Sequence, residues 1–459
     1  MAVLGDSGFP FIDPFGKALQ PSSWWPSTSH QPTQQKSERT FRFRNARYSD
    51  VLSKLFEESG LIPAAGESVP TLTWTSNAYT ALDVLDTAGP RWQRSNMCPG
   101  KGFWGKKSTS AKVFFHFGQK FGNETVAFMP LTLDLEREAH TVREILRKRT
   151  AVILKADNIH RGEGLQIVRT AAELRAAMET GVVEPFGRRN RVEFKTAQPM
   201  IRPYLVHPAY CGEEENGEMI LREKKAQTAG ARRRVRRNGP DGDGSTQAGV
   251  MCGQRYKFKV RFFAVVTSIR PLRMYVHHSS ALALLCSEPY DADDMSNVRA
   301  TVCNRVELRG ARDWPEGTNE SLRASFPKRD SPFVRLFADL LPELGEEKWE
   351  LVRSRMEDAV VRVVLAGLAV AVQPFTMGLS YWDSGYCFQL LGYDFQVDED
   401  LNVFLLEVNT SPALDIPLPV LAVKKSMLKD LLCLIGEADG CERPAGSKQE
   451  IFVRERANI

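Results

Sequence analysis

The chain has 459 residues, enough for two or three domains with sizeable hydrophobic cores. Its 42% hydrophobic and 25% charged residues are ordinary for a soluble globular protein, and a net charge of +5 suggests an acidic partner without requiring nucleic acid. The sequence has no run of about 18 apolar residues and no secretory signal at its start, so we expect no membrane span and a cytoplasmic location.

The first part of the chain predicts an arm followed by a small domain. Residues 1–40 are rich in Pro, Ser, Gln and Trp and predict a flexible arm. Alternating residues predict strands over 41–44 and 71–74, and apolar residues on one face predict a helix over 48–59. We therefore predict an N-terminal α/β domain over residues 41–125.

Residues 126–210 alternate between helix and strand patterns. The predicted order is a helix over 134–148, a strand over 151–155, a glycine loop, a second strand, and a helix over 170–180. Residues 211–250 interrupt this rhythm with an acidic run and an arginine run, and they predict a basic disordered insertion.

The last part of the chain, residues 251–436, returns to regular patterns and is followed by a C-terminal tail over 437–459. Its predicted elements are strands over 256–268 and 272–276 and helices over 346–373 and 419–436. The eight cysteines of the chain show no CxxC pair or other zinc spacing, so we expect them to be reduced residues of a cytosolic core.

Two apolar runs, 390–397 and 404–409, flank a polar cluster and predict a β-hairpin. A four-residue loop over 399–402 would place Asp394 opposite Glu407, with Asn409 on the same face. Like charges in this position need neutralising, and these oxygen ligands suit Mg²⁺ bridging nucleotide phosphates. A protonated carboxyl, or a lysine that pairs with both acids, is the alternative.

A second pattern suits phosphate binding. The strand over 151–155 ends at Lys155 and is followed by a loop that contains Gly162 and Gly164. A lysine there can neutralise phosphate charge, and glycines allow backbone N–H groups to approach the phosphate closely. A plain hairpin turn with an exposed lysine would give the same pattern.

A third pattern is a basic strand. Lys257, Lys259 and Arg261 lie on one face of the strand over 256–268, whose other face is apolar. Three cations on a central strand are costly unless they meet anions. An edge strand with a solvated face is the alternative.

The order of these segments resembles the tubulin–tyrosine ligase-like family of ATP-grasp enzymes from about residue 40 to 436. The motifs that carry the resemblance are LLGYDFQVDEDLNVFLLEVNTSPAL (390–414), LKADNIHRGEGLQIV (154–168), KFKVRFFAVV (257–266), SEPY (287–290) and QRSNMCPGKGFWGKK (93–107). The resemblance implies a mixed α/β (α+β) class: an ATP-grasp fold with a small N-terminal α/β domain. Residues 126–210 and 251–436 would be the two ATP-grasp subdomains that hold ATP between antiparallel sheets.

The resemblance also implies an activity. Members of the family use ATP to convert a carboxylate into an acyl phosphate, which an amine then attacks, and they release ADP and phosphate. The chain would be a ligase that adds a free amino acid (glutamate before tyrosine or glycine) to the acidic tails of tubulin or microtubules, with ATP and Mg²⁺ as cofactors. It would act in the cytoplasm on the cytoskeleton, cilium or flagellum included, with neither membrane nor nucleic acid as its partner. The alternatives are a catalytically degenerate protein that binds nucleotide and microtubules, and an ATP-grasp ligase of small peptides.

Roles carry over from the family position by position. The resemblance implies phosphate contacts for Lys107 and Lys155, a closing loop of Arg161, Gly162, Glu163 and Gly164, an adenine hinge near Gln198, basic motif positions at Lys257 and the catalytic Arg261, and magnesium ligands at Asp394, Glu407 and Asn409.

Three positions depart from the family pattern. Lys259 stands where the family has an acid, Leu284 where it has an arginine, and Thr301 where it has a histidine. Arg273 or His277 is a candidate to compensate. The magnesium hairpin is intact, so the sequence supports ATP binding more strongly than catalysis.

The insertion contains a basic cluster made of Arg222, Lys224, Lys225 and the five arginines between 232 and 237. Such a cluster would attract the acidic tail of tubulin. A solvated loop, or a nuclear-import or nucleic-acid patch, is the alternative. Its position inside the catalytic region favours the tubulin role.

Overall fold

The computed structural model describes residues 38–44, 46, 49–76, 93–98, 104, 107–156, 164–183, 191–207, 213–215, 218–220, 254–269, 272–292, 294, 297–303, 334–370, 386–412, 414 and 420–437. The predicted C-terminal tail, apart from Glu437, and nearly all of the predicted N-terminal arm lie outside these residues. The chain mixes helices with several sheets and is α+β. In the part that the structure describes, no helix is both long and apolar enough to cross a bilayer.

The first sheet is parallel and carries one helix. Its strands are β1 (Thr40–Arg44), β2 (Ile62–Pro63), β3 (Leu72–Thr75) and β4 (Arg94–Ser95), in the order β2-β1-β3-β4. Helix α1 (Ser49–Glu58) buries Leu52 and Phe56 against Phe41 of β1 and Trp74 of β3. The predicted strands and helix are confirmed here.

Helix α2 (Lys107–Phe121) is followed by a 3₁₀ turn over Asn123–Val126. Phe114 and Phe117 of α2 belong to the hydrophobic core of the C-terminal sheet described below. The sequence predicted no helix here and assigned residues 41–125 to the N-terminal domain, whereas α2 packs in the core of the C-terminal sheet. The domain boundaries themselves stay predictions.

The central sheet is antiparallel, in the order β5-β10-β6-β7. Its strands and the short pair β8–β9 are β5 (Leu133–Asp134), β6 (Val152–Ala156), β7 (Leu165–Val168), β8 (Val182–Val183), β9 (Arg191–Val192) and β10 (Phe194–Pro199). Helices α3 (Leu135–Arg147) and α4 (Ala171–Thr180) begin at N-cap side chains, because Asp134 accepts from the backbone N–H of Glu136 and Thr170 from that of Glu173. Both predicted helix starts are confirmed.

The start of the insertion is ordered, which corrects the prediction of disorder over 211–250. Strands β12 (Glu213–Glu215) and β13 (Glu218–Ile220) pair in antiparallel fashion. The sequence between them is Asn216-Gly217, a signature of two-residue hairpin loops that the sequence reading missed. Residues 221–250, with the whole basic cluster, lie outside the described residues.

The C-terminal sheet is antiparallel, in the order β16-β15-β14-β17-β18, and the short strand β11 adds to β14. Its strands are β11 (Leu205–Val206), β14 (Tyr256–Ile269), β15 (Leu272–Leu285), β16 (Val334–Leu336), β17 (Gln389–Val397) and β18 (Val403–Asn409). The prediction ended β15 at Val276, because the polar run from His277 to Ser280 breaks the apolar pattern. The sheet buries His277 and Ser280, and the strand continues.

Helices cover both faces of the C-terminal sheet. They are α5 (Val298–Thr301), α6 (Leu341–Leu344), α7 (Glu346–Val370) and α8 (Val420–Leu434), with a 3₁₀ turn over Phe337–Leu340. One face of the sheet packs on α2 and α7, and the other packs on α8 and the N-terminal sheet. Glu437, just after α8, accepts a hydrogen bond from Thr71 Oγ1 at 3.0 Å.

Two disulfides join cysteines that both lie within the described residues, and Cys433 is disulfide-bonded as well, so the prediction of reduced cysteines is wrong at these positions. Cys98 pairs with Cys387, and Cys286 pairs with Cys303. The first pair forms because β4 runs beside the segment before β17, where the Ser95 N–H donates to the Tyr386 carbonyl at 2.8 Å. Folding brings Cys98 and Cys387 together from positions 289 residues apart, so their spacing in sequence carried no signal.

Candidate functional site

The hairpin of β17 and β18 pairs Asp394 with Glu407 and Gly392 with Asn409, as predicted. The route to this register differs from the prediction. The loop has five residues, 398–402, and Val397 pairs with Val403, so the pairing beside the loop is offset by one residue. A bulge at Leu406 restores the predicted pairing at Asp394.

The basic strand β14 lies between β15 and β17, so the edge-strand alternative is wrong. Arg261 pairs in register with Asp394. Lys259 Nζ lies 2.9 Å from Asp394 Oδ2, Arg261 Nη2 donates to the same oxygen at 2.9 Å, and Arg261 Nε donates to Oδ1. Lys259 is 7% exposed and Asp394 is fully buried. Two of the three predicted cations, Lys259 and Arg261, therefore meet an anion, whereas Lys257 lies beside other cations.

Asp394 is ionised in this arrangement. Its burial favours the neutral acid, but the charges of Arg261 and Lys259 and their hydrogen bonds outweigh burial and hold the pKa of Asp394 below its usual range. The alternative of a protonated carboxyl is therefore wrong for Asp394. A carboxylate with two buried cationic partners is a structural ion cluster that removal of one member would unbalance.

A cleft of about 450 Å³ opens between β18, the central sheet and α2. Its lining includes Lys107 at the start of α2, Lys155 on β6, Gln198 on β10 and Glu407 on β18. The sequence proposed these four side chains from segments far apart in the chain, and the fold gathers them along one cavity. Trp104 and Phe114 supply an apolar wall.

Two lysines of the site are buried beside other cations. Burial, then the charge of Lys107, lower the pKa of Lys155 to about 8, although Glu407 opposes the shift. Burial, then the charges of Lys155 and Lys259, lower the pKa of Lys257 to about 7. Clustered cations that are costly to charge in the free protein are stabilised when an anion binds among them.

The backbone around this cluster is held in place locally. The carbonyl of Lys257 accepts from the Cys286 N–H at 2.8 Å and lies 3.4 Å from Cys303 Sγ, so the Cys286–Cys303 disulfide lies directly behind that lysine. The Gly164 carbonyl accepts from the Ala156 N–H at 2.8 Å and closes the loop back onto β6. Arg161, Gly162 and Glu163 lie outside the described residues.

The remaining predicted positions are distributed as follows. Gln198 Nε2 donates to Thr132 Oγ1 at 2.6 Å. Leu284 pairs with Lys259 across β14 and β15 and is buried among apolar residues. Thr301 Oγ1 donates to the Asn297 carbonyl.

The two residues suggested as compensating cations lie elsewhere on β15. His277 Nε2 is 3.0 Å from Asp430 of α8. Arg273 pairs with Ser268, near the start of the strand. The position of Leu284 beside Lys259 is therefore apolar.

Gly392 is a functional position that the sequence reading missed. A Cβ atom there would lie 3.0 Å from Pro412 Cβ and 3.3 Å from Arg261 Cδ. The glycine leaves room for the Arg261 side chain, which passes close to Gly392 as it reaches Asp394 on the same strand. A glycine inside an apolar strand is the sequence signal for such a close approach.

The predicted magnesium ligands are Asp394, Glu407 and Asn409. Mg²⁺ takes oxygen ligands at about 2.0–2.1 Å and holds them rigidly. Asp394 Oδ2 accepts hydrogen bonds from both Lys259 and Arg261, and Oδ1 accepts one from Arg261, so a metal ion at Asp394 has only the second lone pair of Oδ1 and would lie beside two buried cations. Asp394 therefore fits the predicted role poorly while Lys259 contacts it, and the roles of Glu407 and Asn409 stay predictions. Among the described residues, no group of three His, Cys, Asp or Glu side chains is placed to hold a metal.

The central and C-terminal antiparallel sheets, with lysines in the cleft between them, define an α+β fold of the ATP-grasp type. Residues 251–438 match the Tubulin-tyrosine ligase family. The predicted family resemblance is confirmed.

Similar proteins carry names that agree with this family. The probable tubulin polyglutamylase ttll-9 of Caenorhabditis elegans is 29% identical over 34% of this chain and 33% of its own length. The tubulin polyglutamylase ttll-5 of the same organism is 31% identical over 39% of this chain and 24% of its own length. The human tubulin polyglutamylase TTLL5 is 27% identical over 41% of this chain and 14% of its own length. The chain spans a third or less of the length of these relatives.

Proposed function

We propose that the chain is an ATP-dependent, ADP-forming carboxylate–amine ligase that adds an amino acid to an acidic protein tail, with tubulin as the substrate. The observation that carries the proposal is a group of buried lysines: Lys155 lines a cleft between two antiparallel sheets, and Lys257 is buried close enough to Lys155 for the charge of that residue to lower its pKa. The match of residues 251–438 to the tubulin-tyrosine ligase family, whose enzymes depend on ATP and generally on Mg²⁺, supports the same nucleotide.

In this proposal, the chain binds and positions the reactants and supplies no nucleophile. Lys107, Lys155 and Lys257 neutralise the phosphates, because phosphoryl transfer depends mainly on positioning and electrostatics. Gln198 lies beside the base, and the loop from Arg161 to Gly164 closes over the nucleotide.

The reaction has two steps. The terminal phosphoryl group passes to an oxygen of the substrate carboxylate as ADP leaves, and Arg261 contacts the transferred group. The amine nitrogen then attacks the acyl carbon, loses a proton and displaces phosphate. An amide bond forms in place of the acyl–phosphate bond.

Glutamate is the proposed amino acid, ahead of tyrosine and glycine, because the similar proteins are named as polyglutamylases. The arginines of the insertion would attract the acidic tail through opposite charge. The proposed location is the cytoplasm, on microtubules. The two disulfides are unusual for this location, because disulfides are rare in reducing compartments such as the cytoplasm. Imaging of a tagged chain beside a microtubule marker tests the location directly.

A second candidate function is a nucleotide- and microtubule-binding protein without ligase activity. The contact between Lys259 and Asp394 favours it, because that contact takes a predicted metal ligand out of use. Both candidates share the nucleotide cleft and differ only in turnover.

The deciding experiment measures ADP release with Mg-ATP, polymerised tubulin and, separately, glutamate, glycine or tyrosine. Turnover with one amino acid, lost in Lys155→Met and Glu407→Gln and kept in the exposed control Lys195→Met, would support the ligase. Absence of ADP release with all three amino acids, in protein that still binds ATP and microtubules, would favour the second candidate. A protein that does not bind ATP would contradict both.

A further inference from the structure

The proposed nucleotide cleft adjoins a buried group of side chains that has an excess of positive charge. In the part of the chain that the structure describes, five cationic side chains form one connected group with the two carboxylates Asp394 and Glu407. The cations are Lys107, Lys155, Lys257, Lys259 and Arg261. A polyphosphate anion that enters this group meets charges of opposite sign already in place.

Lys259 decides this balance. Its Nζ lies 2.9 Å from Asp394 Oδ2, and the side chain is 7% exposed. Arg261 already forms a two-pronged pair with the same carboxylate, so Asp394 is neutralised twice. Lys259 therefore occupies the place beside Asp394 that a metal ion would otherwise take. It already neutralises the carboxylate charge that the metal ion would neutralise.

We infer that Lys259 takes the place of a divalent cation beside Asp394, so that the cleft binds a nucleoside triphosphate without magnesium. The inference rests on the proposed nucleotide site and goes beyond it. Magnesium normally neutralises nucleotide phosphates for a protein. A buried ammonium fixed on Asp394 gives the same sign of charge at the same carboxylate, and it cannot be removed by a chelator.

The test measures binding of the non-hydrolysable triphosphate AMP-PNP by titration calorimetry, once with Mg²⁺ and once with EDTA. The wild-type dissociation constants in the two buffers should agree within about threefold. In Lys259→Asp, the affinity in EDTA should fall by at least about tenfold, and Mg²⁺ should restore most of it, because the site then has three carboxylates to four cations.

Two further variants serve as controls for the comparison of the two buffers. Lys259→Gln removes the charge without adding an acid and should weaken binding in both buffers. Lys195→Gln removes an exposed lysine on β10 and should change neither value. Thermal unfolding of each variant shows that it is folded. If Lys259→Asp does not fold, the wild-type comparison and Lys259→Gln still decide the question.

Two negative results have different meanings. Wild-type binding that appears only with Mg²⁺ would overturn the inference and leave the proposed nucleotide site standing. Absence of binding in both buffers would contradict the nucleotide site itself, and the inference with it.

Discussion

Replacing Lys257 by methionine should make the free protein more stable. Lys257 is 7% exposed, and burial beside Lys155 and Lys259 lowers its pKa from 10.5 to about 7. One pKa unit corresponds to about 1.36 kcal/mol, so the wild-type protein loses about 4 kcal/mol of folding free energy at pH 7 through this group. Methionine has a similar length and no charge to desolvate, and it should recover much of that loss.

The stability gained by Lys257→Met should decrease as the pH rises. Between pH 7 and about 10.5, the unfolded chain binds more protons at position 257 than the folded protein does. Wild-type stability therefore rises with pH across this window, and the advantage of Lys257→Met should shrink to about 2 kcal/mol at pH 9.

Urea denaturation followed by tryptophan fluorescence at pH 7 and pH 9 measures both values. Lys195→Met, which removes an exposed lysine paired with Glu193, is the matched control and should lose a little stability. A Lys257→Met protein that is less stable than the wild type at pH 7, or whose gain is equal at both pH values, would refute the reasoning. The same variant should bind AMP-PNP more weakly, so that stability and binding change in opposite directions.

Three further predictions follow from the same cleft. The affinity for AMP-PNP should fall as pH rises from about 7 to 9, because Lys257 and Lys155, whose pKa values are lowered to about 7 and about 8, lose their protons. Calorimetry should show a weaker dependence of affinity on pH for Lys257→Arg, since arginine keeps its charge. An equally steep dependence in that variant would contradict this account. Asp394→Asn should destabilise the protein by about 3 kcal/mol in urea denaturation, because it leaves Lys259 and Arg261 buried without their carboxylate; a loss below about 1 kcal/mol would argue against the ion cluster. Gly392→Ala should lower the free energy of unfolding by about 1–3 kcal/mol, because its Cβ would lie 3.0 Å from Pro412 Cβ. Gly436→Ala, on an exposed turn with positive φ, is the control that measures the effect of backbone strain without close packing.

Local patterns predicted the elements of the fold well. The side chains of Asp134 and Thr170 cap α3 and α4 where the sequence placed the helix starts. The alternation of Lys257, Lys259 and Arg261 gave the strand and its basic face. These features depend on neighbours within a few residues, which a sequence displays directly.

Features that depend on which strands become neighbours were out of reach. The alternation on β14 could not distinguish a central strand from an edge strand, because that depends on β15 and β17 flanking it. The contact of Lys259 with Asp394 needs the pairing of β14 with β17, from residues 135 positions apart. The disulfide between Cys98 and Cys387 was missed for the same reason.

One prediction was right by a different route. The pairing of Asp394 with Glu407 was expected from a four-residue loop, whereas the structure combines a five-residue loop with a bulge at Leu406. A five-residue loop alone would place Leu406 opposite Asp394, and the bulge at Leu406 brings Glu407 there instead. The alternation of side chains near the site, rather than the loop, is the dependable signal.

The bulge at Leu406 makes the tip of this hairpin a place to attach a reporter. It lies between the loop and the Asp394–Glu407 pair, and the tip residues Glu399 and Asp400 are exposed. Asp398 holds the base of the loop by accepting hydrogen bonds from the N–H groups of Asp400 and Asn402. A cysteine introduced at position 399 would carry a fluorophore on the strand pair that lines the cleft, outside the paired residues themselves. Nucleotide entry could then be followed by fluorescence in real time, without labelling the nucleotide.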